Sequence, residues 1–205
     1  ATLQRLRSSG VPHVFTWNSP KSTRPSVGFD NREAGRLVAR HLIELGHRRI
    51  AMVAGIVSGN DRARDRLAGV RDGPEAAGLG LPDERVTQRP YSLEGGGEGL
   101  AQLMSSRQRP TAVICGNDVL ALGALRQCRS LGIAVPRDLS ITGFDDMPMA
   151  RVASPELTTV HFPMEEVGWN AGELLLGMMG EAVGPVTHRL PITLVAREST
   201  AAPGV

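Results

Sequence analysis

Aromatic side chains are scarce in this chain of 205 residues, with four Phe, two Trp and one Tyr, so its core has to be aliphatic. Lysine is almost missing: Lys21 stands alone, and the net charge of +2 is carried by arginine. Those arginines form no stripe but are interleaved with Asp and Glu along the whole chain, which argues against a face that grips nucleic acid. Two cysteines are too few for a disulfide scaffold. Cys115 and Cys128 both stand in apolar segments, where buried, reduced thiols and no disulfide are expected. No run reaches the roughly 18 apolar residues of a membrane helix, and the first residues lack the basic, apolar and small-residue order of a signal peptide. The expectation is a cytoplasmic chain with no membrane partner.

What is present is an ordinary globular composition, 41% hydrophobic and 21% charged, arranged as short β-branched runs alternating with helical patterns. That alternation is the signature of a doubly wound α/β fold with parallel sheets flanked by helices. Strands are expected at 11–15, 26–29, 49–54, near Val86, at 111–115, 139–143, 158–160 and 187–196. One helix opens at Asn31 and closes at Gly46, with Ala34, Leu37, Val38, Leu42 and Leu45 on one face. Others begin near Asp61, carry Leu100, Leu103 and Met104, follow Asn117 as far as Gly132, and run from Val167 to Gly180. Gly73-Pro74 should kink or break the helix that begins near Asp61. The tail from Ser199 is small and polar enough to be disordered.

Catalytic and metal motifs are missing. No P-loop occurs, and Gly95, Gly96, Gly97 and Gly99 do not have dinucleotide-fingerprint spacing. His13, His41, His47, His161 and His188 are scattered, with no metal-binding pair. The acid pairs Asp145-Asp146 and Glu165-Glu166 are sequence neighbours that point different ways on any regular element, so neither makes an acid/base dyad. The chain therefore reads as a non-enzyme without cofactor or metal.

In a doubly wound sheet, ligands sit outside the carboxyl ends of the strands. Polar groups follow apolar runs at Asp30-Asn31, 61–64, Asn117-Asp118 and Asp145-Asp146, a set able to hold a polar ligand such as a sugar. Each has a purely structural reading beside that one. Asn31, Asp61 and Asn117 would serve as helix N-caps, Arg64 as a solvated residue between Arg62 and Arg66, and Asp145-Asp146 as a turn. Tyr91 would serve as core, and Met147, Pro148 and Met149 as a loop or interface.

Several ordered stretches resemble the lactose-repressor (LacI/GalR) family of bacterial transcription regulators. They are VGFDN at 27–31, LGHRRIAMVAG at 45–55, RDRLAG at 64–69, CGND at 115–118 with ALGA at 121–124, VPRDLSITGFDD at 135–146 and PELTTV at 155–160. The resemblance implies two Rossmann-like lobes of the periplasmic-binding-protein type I kind, with a small-molecule effector in the cleft and a homodimer. It also implies operator DNA bound through a headpiece absent from this chain. The first lobe, incomplete here, would comprise 1–45 and 163–190, and the second 46–162 and 191–200, with a tail at 201–205. Carried over by motif, Arg64 would clamp effector hydroxyls, Asn117 would follow the central strand, and Asp145 would belong to the Gly-Phe-Asp-Asp turn. Tyr91 would stack on the ligand, while Asp30 or Glu33 would contribute from the first lobe. Phe162 replaces a glutamine common in the family, so the pocket is expected to be more apolar there, and Trp17 and Asn18 occupy a loop where relatives often carry a charged pair. The function implied is a ligand-responsive repressor for a sugar or sugar derivative; the alternative on the same fold is a periplasmic solute-binding protein for sugar import.

Overall fold

The computed structural model of the chain describes residues 2–17, 24–180 and 186–204; Asn18 and Lys21 lie outside them. The described chain forms two compact units, 1–30 with 163–192 and 31–162 with 193–205. In the smaller unit, helix α1 (Thr2–Ser8) precedes strands β1 (Phe15–Thr16) and β2 (Ser26–Gly28). In the larger, helix α2 (Asn31–Glu44) leads into strand β3 (Ile50–Gly55), helix α3 (Asp61–Ala76), a 3-10 turn at Asp83–Arg85 and strand β4 (Val86–Arg89). Helix α4 (Leu93–Met104), strand β5 (Ala112–Cys115), helix α5 (Asp118–Leu131), strand β6 (Ser140–Thr142), helix α6 (Pro148–Val152) and strand β7 (Thr159–His161) follow. The chain then returns to the smaller unit for helix α7 (Met164–Gly180) and strand β8 (Thr187–Arg189), and ends in the larger with strand β9 (Thr193–Val195).

The larger unit is built on a parallel sheet in the order β4-β3-β5-β6, with β7 and β9 paired antiparallel beside it. β3 and β5 are buried at every position, which is why they read as unbroken apolar runs. Ala51, Val53, Leu100, Leu103, Val113, Leu120, Leu125, Leu139 and Ile141 form an aliphatic cluster in its core. In the smaller unit β2 lies between β1 and β8, all parallel.

Several expectations need correction. Helix α2 belongs to the larger unit, so the boundary falls at residue 30 and not 45. The cause is its close packing on α3: a Cβ on Gly69 would land on the carbonyl oxygen of Arg32, and one on Gly73 would come 2.6 Å from Ala39 Cβ. Asp72 then bonds both Arg32 (2.7 Å) and Arg36 (2.9 Å), and the Arg32 bond, aided by Arg36, holds its carboxyl at about 2. Pro74 does not break α3, which continues to Ala76, because a proline in the last turn sacrifices a single helical hydrogen bond. The expected strand at 187–196 is two, in different sheets, interrupted at Leu190-Pro191 just before the chain changes units after Ile192. Asn60, not Asp61, caps α3, its Oδ1 accepting from Ala63 N at 3.1 Å.

The tail is ordered. Ser199 is fully buried, its hydroxyl donating to Ile141 O at 2.6 Å and accepting from Thr158 N at 2.8 Å. The buried His47 ring reaches Thr111 Oγ1 (2.9 Å) and Ala201 O (2.9 Å), and His41 reaches Thr200 Oγ1 (3.0 Å). Burial pushes both imidazoles below their ordinary pKa. Cys115 and Cys128 are buried and free; burial raises both thiols, Cys128 to about 12. No helix among the described residues is long and apolar enough to cross a membrane.

Because two backbones meet at Gly69, Gly69→Ala is expected to lower stability by about 2–3 kcal/mol through overpacking. A urea titration reading a midpoint unchanged from the parent would show that α2 and α3 do not pack this closely.

Candidate functional site

The polar groups that follow β3, β5 and β6 belong to one unit, and a buried arginine organises them. Arg66 lies on the inner face of α3, in phase with the buried Ala63, Leu67 and Val70, and its side chain is 8% exposed. Its Nε donates to Asn31 Oδ1 at 2.9 Å, its Nη1 to the Gly116 carbonyl at 2.8 Å and its Nη2 to Asp145 Oδ1 at 3.1 Å. Phe144 and Phe162 pack against the guanidinium, with ring centroids 5.1 and 4.9 Å from its carbon. The two rings are stacked on each other, 8° from parallel and 6.5 Å apart. Buried charge is tolerated here because three acceptors meet its N–H groups and two aromatic rings lie within cation–π range.

Asp145 takes φ of +106° and Asp146 +50°, left-handed backbone that non-glycine residues adopt at a cost. The turn is pinned from both sides. Asp145 N donates to Val160 O at 3.0 Å, while Asp146 pairs with Arg197 and accepts from His161 (3.1 Å) and Arg151 (3.4 Å). Burial pushes the Asp145 carboxyl up against the downward pull of Arg66. For Asp146, burial also acts upward, but Arg197, His161 and Arg151 outweigh it and the carboxyl falls below its usual range.

Tyr91, between β4 and α4, lies over Gly55 at the end of β3, where a Cβ would collide with the phenol ring. Its hydroxyl lies near Asn60 and feels the charges of Arg66, Asp145 and Arg62; its pKa is raised, chiefly by burial. Asn117 caps α5, its Oδ1 accepting from Leu120 N at 3.0 Å. The carboxyl end of the larger unit's sheet thus gathers Asn60, Arg66, Tyr91 and Asp145, with Asn117 at the neighbouring helix start. Such a set offers an aromatic face, a carboxylate and amide groups to a polar molecule.

Not every expected residue joins it. Arg64 points outward: its side chain is 63% exposed, 3.8 Å from Asp65, and lines a separate hollow of about 530 Å³ with Val57, Leu67, Arg71 and Gln88. Arg66, and not Arg64, is the arginine that lies beside Asp145. Helical phase carried that signal, since Arg66 repeats with Ala63, Leu67 and Val70 at i+3, i+4 and i+7 spacing, whereas Arg64 does not. Glu33 pairs with Arg36 at 2.7 Å on α2. Phe162 is 1% exposed and packs on Arg66, so it forms no open apolar wall. In the smaller unit, Asp30 pairs with Arg189 at 3.0 Å, and Trp17, at φ +74°, stands edge-on to Phe29 with centroids 6.3 Å apart. Among the described residues no group of three or more His, Cys, Asp or Glu is placed to hold a metal ion.

Comparison with known proteins agrees with this architecture. Residues 39–200 match the family described as periplasmic binding protein-like domain. The HTH-type transcriptional repressor PurR of Escherichia coli O1:K1 is 35% identical over 190 residues, 92% of this chain and 55% of that protein; the chain spans about half the length of the curated relatives it matches. A LacI family transcriptional regulator from Mycobacterium smegmatis superposes with a TM-score of 0.86 at 31% identity, covering 99% of this chain and 75% of that one. A LacI family regulator from Enterococcus faecium with bound ribose gives 0.85 at 29% identity, covering 97% and 74%. Fold and match define a periplasmic-binding-protein-like α/β chain. More narrowly, the chain belongs to the LacI family of transcriptional regulators.

Removing Arg66 leaves Asp145 buried without its cation, so Arg66→Ala should cost about 3 kcal/mol or more, whereas Arg64→Ala should change stability by less than about 0.5 kcal/mol. Chemical denaturation of the two variants checks the ordering, and equal losses would contradict the placement of these side chains.

Proposed function

We propose that this chain is the effector-sensing part of a cytoplasmic, ligand-responsive repressor, and that its larger unit binds a sugar or sugar derivative beside Tyr91, Arg66 and Asp145. The observation that carries the reading is the Arg66–Asp145 pair at the carboxyl edge of the sheet, with Tyr91 supplying an aromatic face next to it. A carboxylate that shares only one oxygen with arginine keeps acceptor capacity for hydroxyl groups, and an aromatic face suits the C–H side of a sugar ring. The ribose held by the Enterococcus faecium relative favours the same ligand class. Effector binding acts through the difference in its affinity for two arrangements of the protein. Operator DNA is contacted by a helix-turn-helix headpiece of the kind relatives carry, and no catalytic step is involved. Asp30, Trp17 and Glu33 remain candidate contributors; Arg64 is withdrawn in favour of Arg66.

A thermal-shift screen over sugars including ribose, sugar acids, sugar phosphates, nucleosides and purines tests this. A true effector at a hundredfold excess over its Kd stabilises the folded chain by about 2.7 kcal/mol. The shift is expected to survive Arg64→Ala and to vanish in Asp145→Ala and Tyr91→Ala. A shift kept by both of the last two variants would move the effector elsewhere.

We further propose that α6 forms part of a homodimer surface, because Met149 and Val152 are apolar yet 54% and 79% exposed. Met149→Asp should then convert the dimer to a monomer by light scattering, and an undisturbed dimer would refute the assignment.

A further inference from the structure

Asp118, the first residue of α5, is completely buried, and neither the effector cluster nor the core accounts for it. Burying a carboxylate is costly unless donors surround it. Asp118 has two, from different elements: Oδ1 accepts from the Thr159 hydroxyl of β7 at 2.6 Å, and Oδ2 from the Met147 amide at 2.8 Å. Its own backbone N–H donates to Phe144 O at 2.9 Å. Gly143 has no side chain where one would collide with Oδ1, so the end of β6 leaves room for this carboxylate. Met147 in turn is the N-cap of α6 and has no side-chain cap, and Pro148 follows it at the first helical position. Between the two residues that Asp118 grips, Phe144 and Met147, lies the left-handed pair Asp145-Asp146.

We propose that Asp118 is a positioning residue for the effector site: its ionised carboxylate ties the Asp145-Asp146 turn to the start of α6, and neutralising it loosens the tie, altering turn and helix together. The inference rests on reading Asp145 as an effector contact. Charge makes the difference because a hydrogen bond to an ionised acceptor is about twice as strong as a neutral one. Two further oxygens matter: a protonated Oδ1 would have to reverse the Thr159 bond, and Thr159 Oγ1 lies 3.4 Å from Asp146 N. Burial pushes the Asp118 carboxyl up to about 7, against the lowering effect of Thr159 and Met147 and with some help from Asp145 and Asp146. The charged or titratable groups facing it are those two aspartates, with Arg66 on the first and Arg151, Arg197 and His161 on the second, and Cys115 on β5.

The sign follows from the raised value. An unfolded aspartate ionises near 3.8, so between about 4 and 7 the folded chain holds a proton that the unfolded chain has released. Asp118 thus costs stability progressively as pH rises through that window, and the cost is complete above it. The ionised tie is bought at the expense of stability.

The test is an amide NMR titration of the effector-free chain from pH 5.5 to 8.5. The amides of Asp145, Asp146 and Met147 should inflect together near pH 7. The inflection should disappear in Asp118→Asn and persist in His161→Gln, which removes the imidazole bonded to Asp146. Thr159→Val, which leaves Asp118 in place but deletes a donor, should move the midpoint upward and covers the case in which Asp118→Asn does not fold. Flat amides in the parent, an inflection lost in His161→Gln, or an unmoved midpoint in Thr159→Val would each overturn the proposal. No effector enters this measurement, so a failed ligand screen and a failed titration remain separate results.

Discussion

Burying one guanidinium sets the terms for the larger unit. Arg66 needs acceptors for its N–H groups and polarisable surface beside it, and it finds them on elements far apart in sequence. Asn31 comes from the start of α2, Gly116 from the end of β5, Asp145 and the Phe144 ring from the turn after β6, and the Phe162 ring from the end of β7. A charge that loses its water has to be compensated, so these four elements are held in one arrangement around it. The aromatic scarcity of the chain sharpens the point: two of its four phenylalanines are spent on this single cation.

The same arrangement explains the unusual backbone. Asp145 presents its carboxylate to Arg66 only because its peptide is turned into left-handed space, and Asp146 follows it there. Such strain persists where neighbours over-determine the geometry. Val160 accepts from the turn on one side, Arg197 closes on Asp146 from another, and Asp118 grips the chain just after it.

Much of the architecture was legible because single-residue chemistry agreed with periodicity. Asn117 and Gly132 bracket α5 as polar cap and left-handed stop, and the unbroken apolar runs of β3 and β5 marked buried parallel strands. Motif resemblance singled out Asp145 and Tyr91, which the fold brings to the same end of the sheet. RDR offers two arginines, and only the helical phase of Ala63, Leu67 and Val70 separates the inward one from the outward one. The role of Asp118 was hidden for a different reason. Following Asn117, it reads as a favourable charge in a helix's first turn, and nothing local reveals donors 29 and 41 residues away. The tail deceived through composition: Ser199, Thr200 and Ala201 are small, yet their partners are buried strand ends and two histidines.

That tail has a consequence for how the molecule is made. The carbonyl acceptor of His47, on Ala201, leaves the ribosome more than 150 residues after it, as does the Thr200 hydroxyl that meets His41. β6 likewise waits for Ser199 to accept and donate at its edge. A nascent chain therefore carries its larger unit with open polar seams until Ser199, Thr200 and Ala201 have emerged to close them.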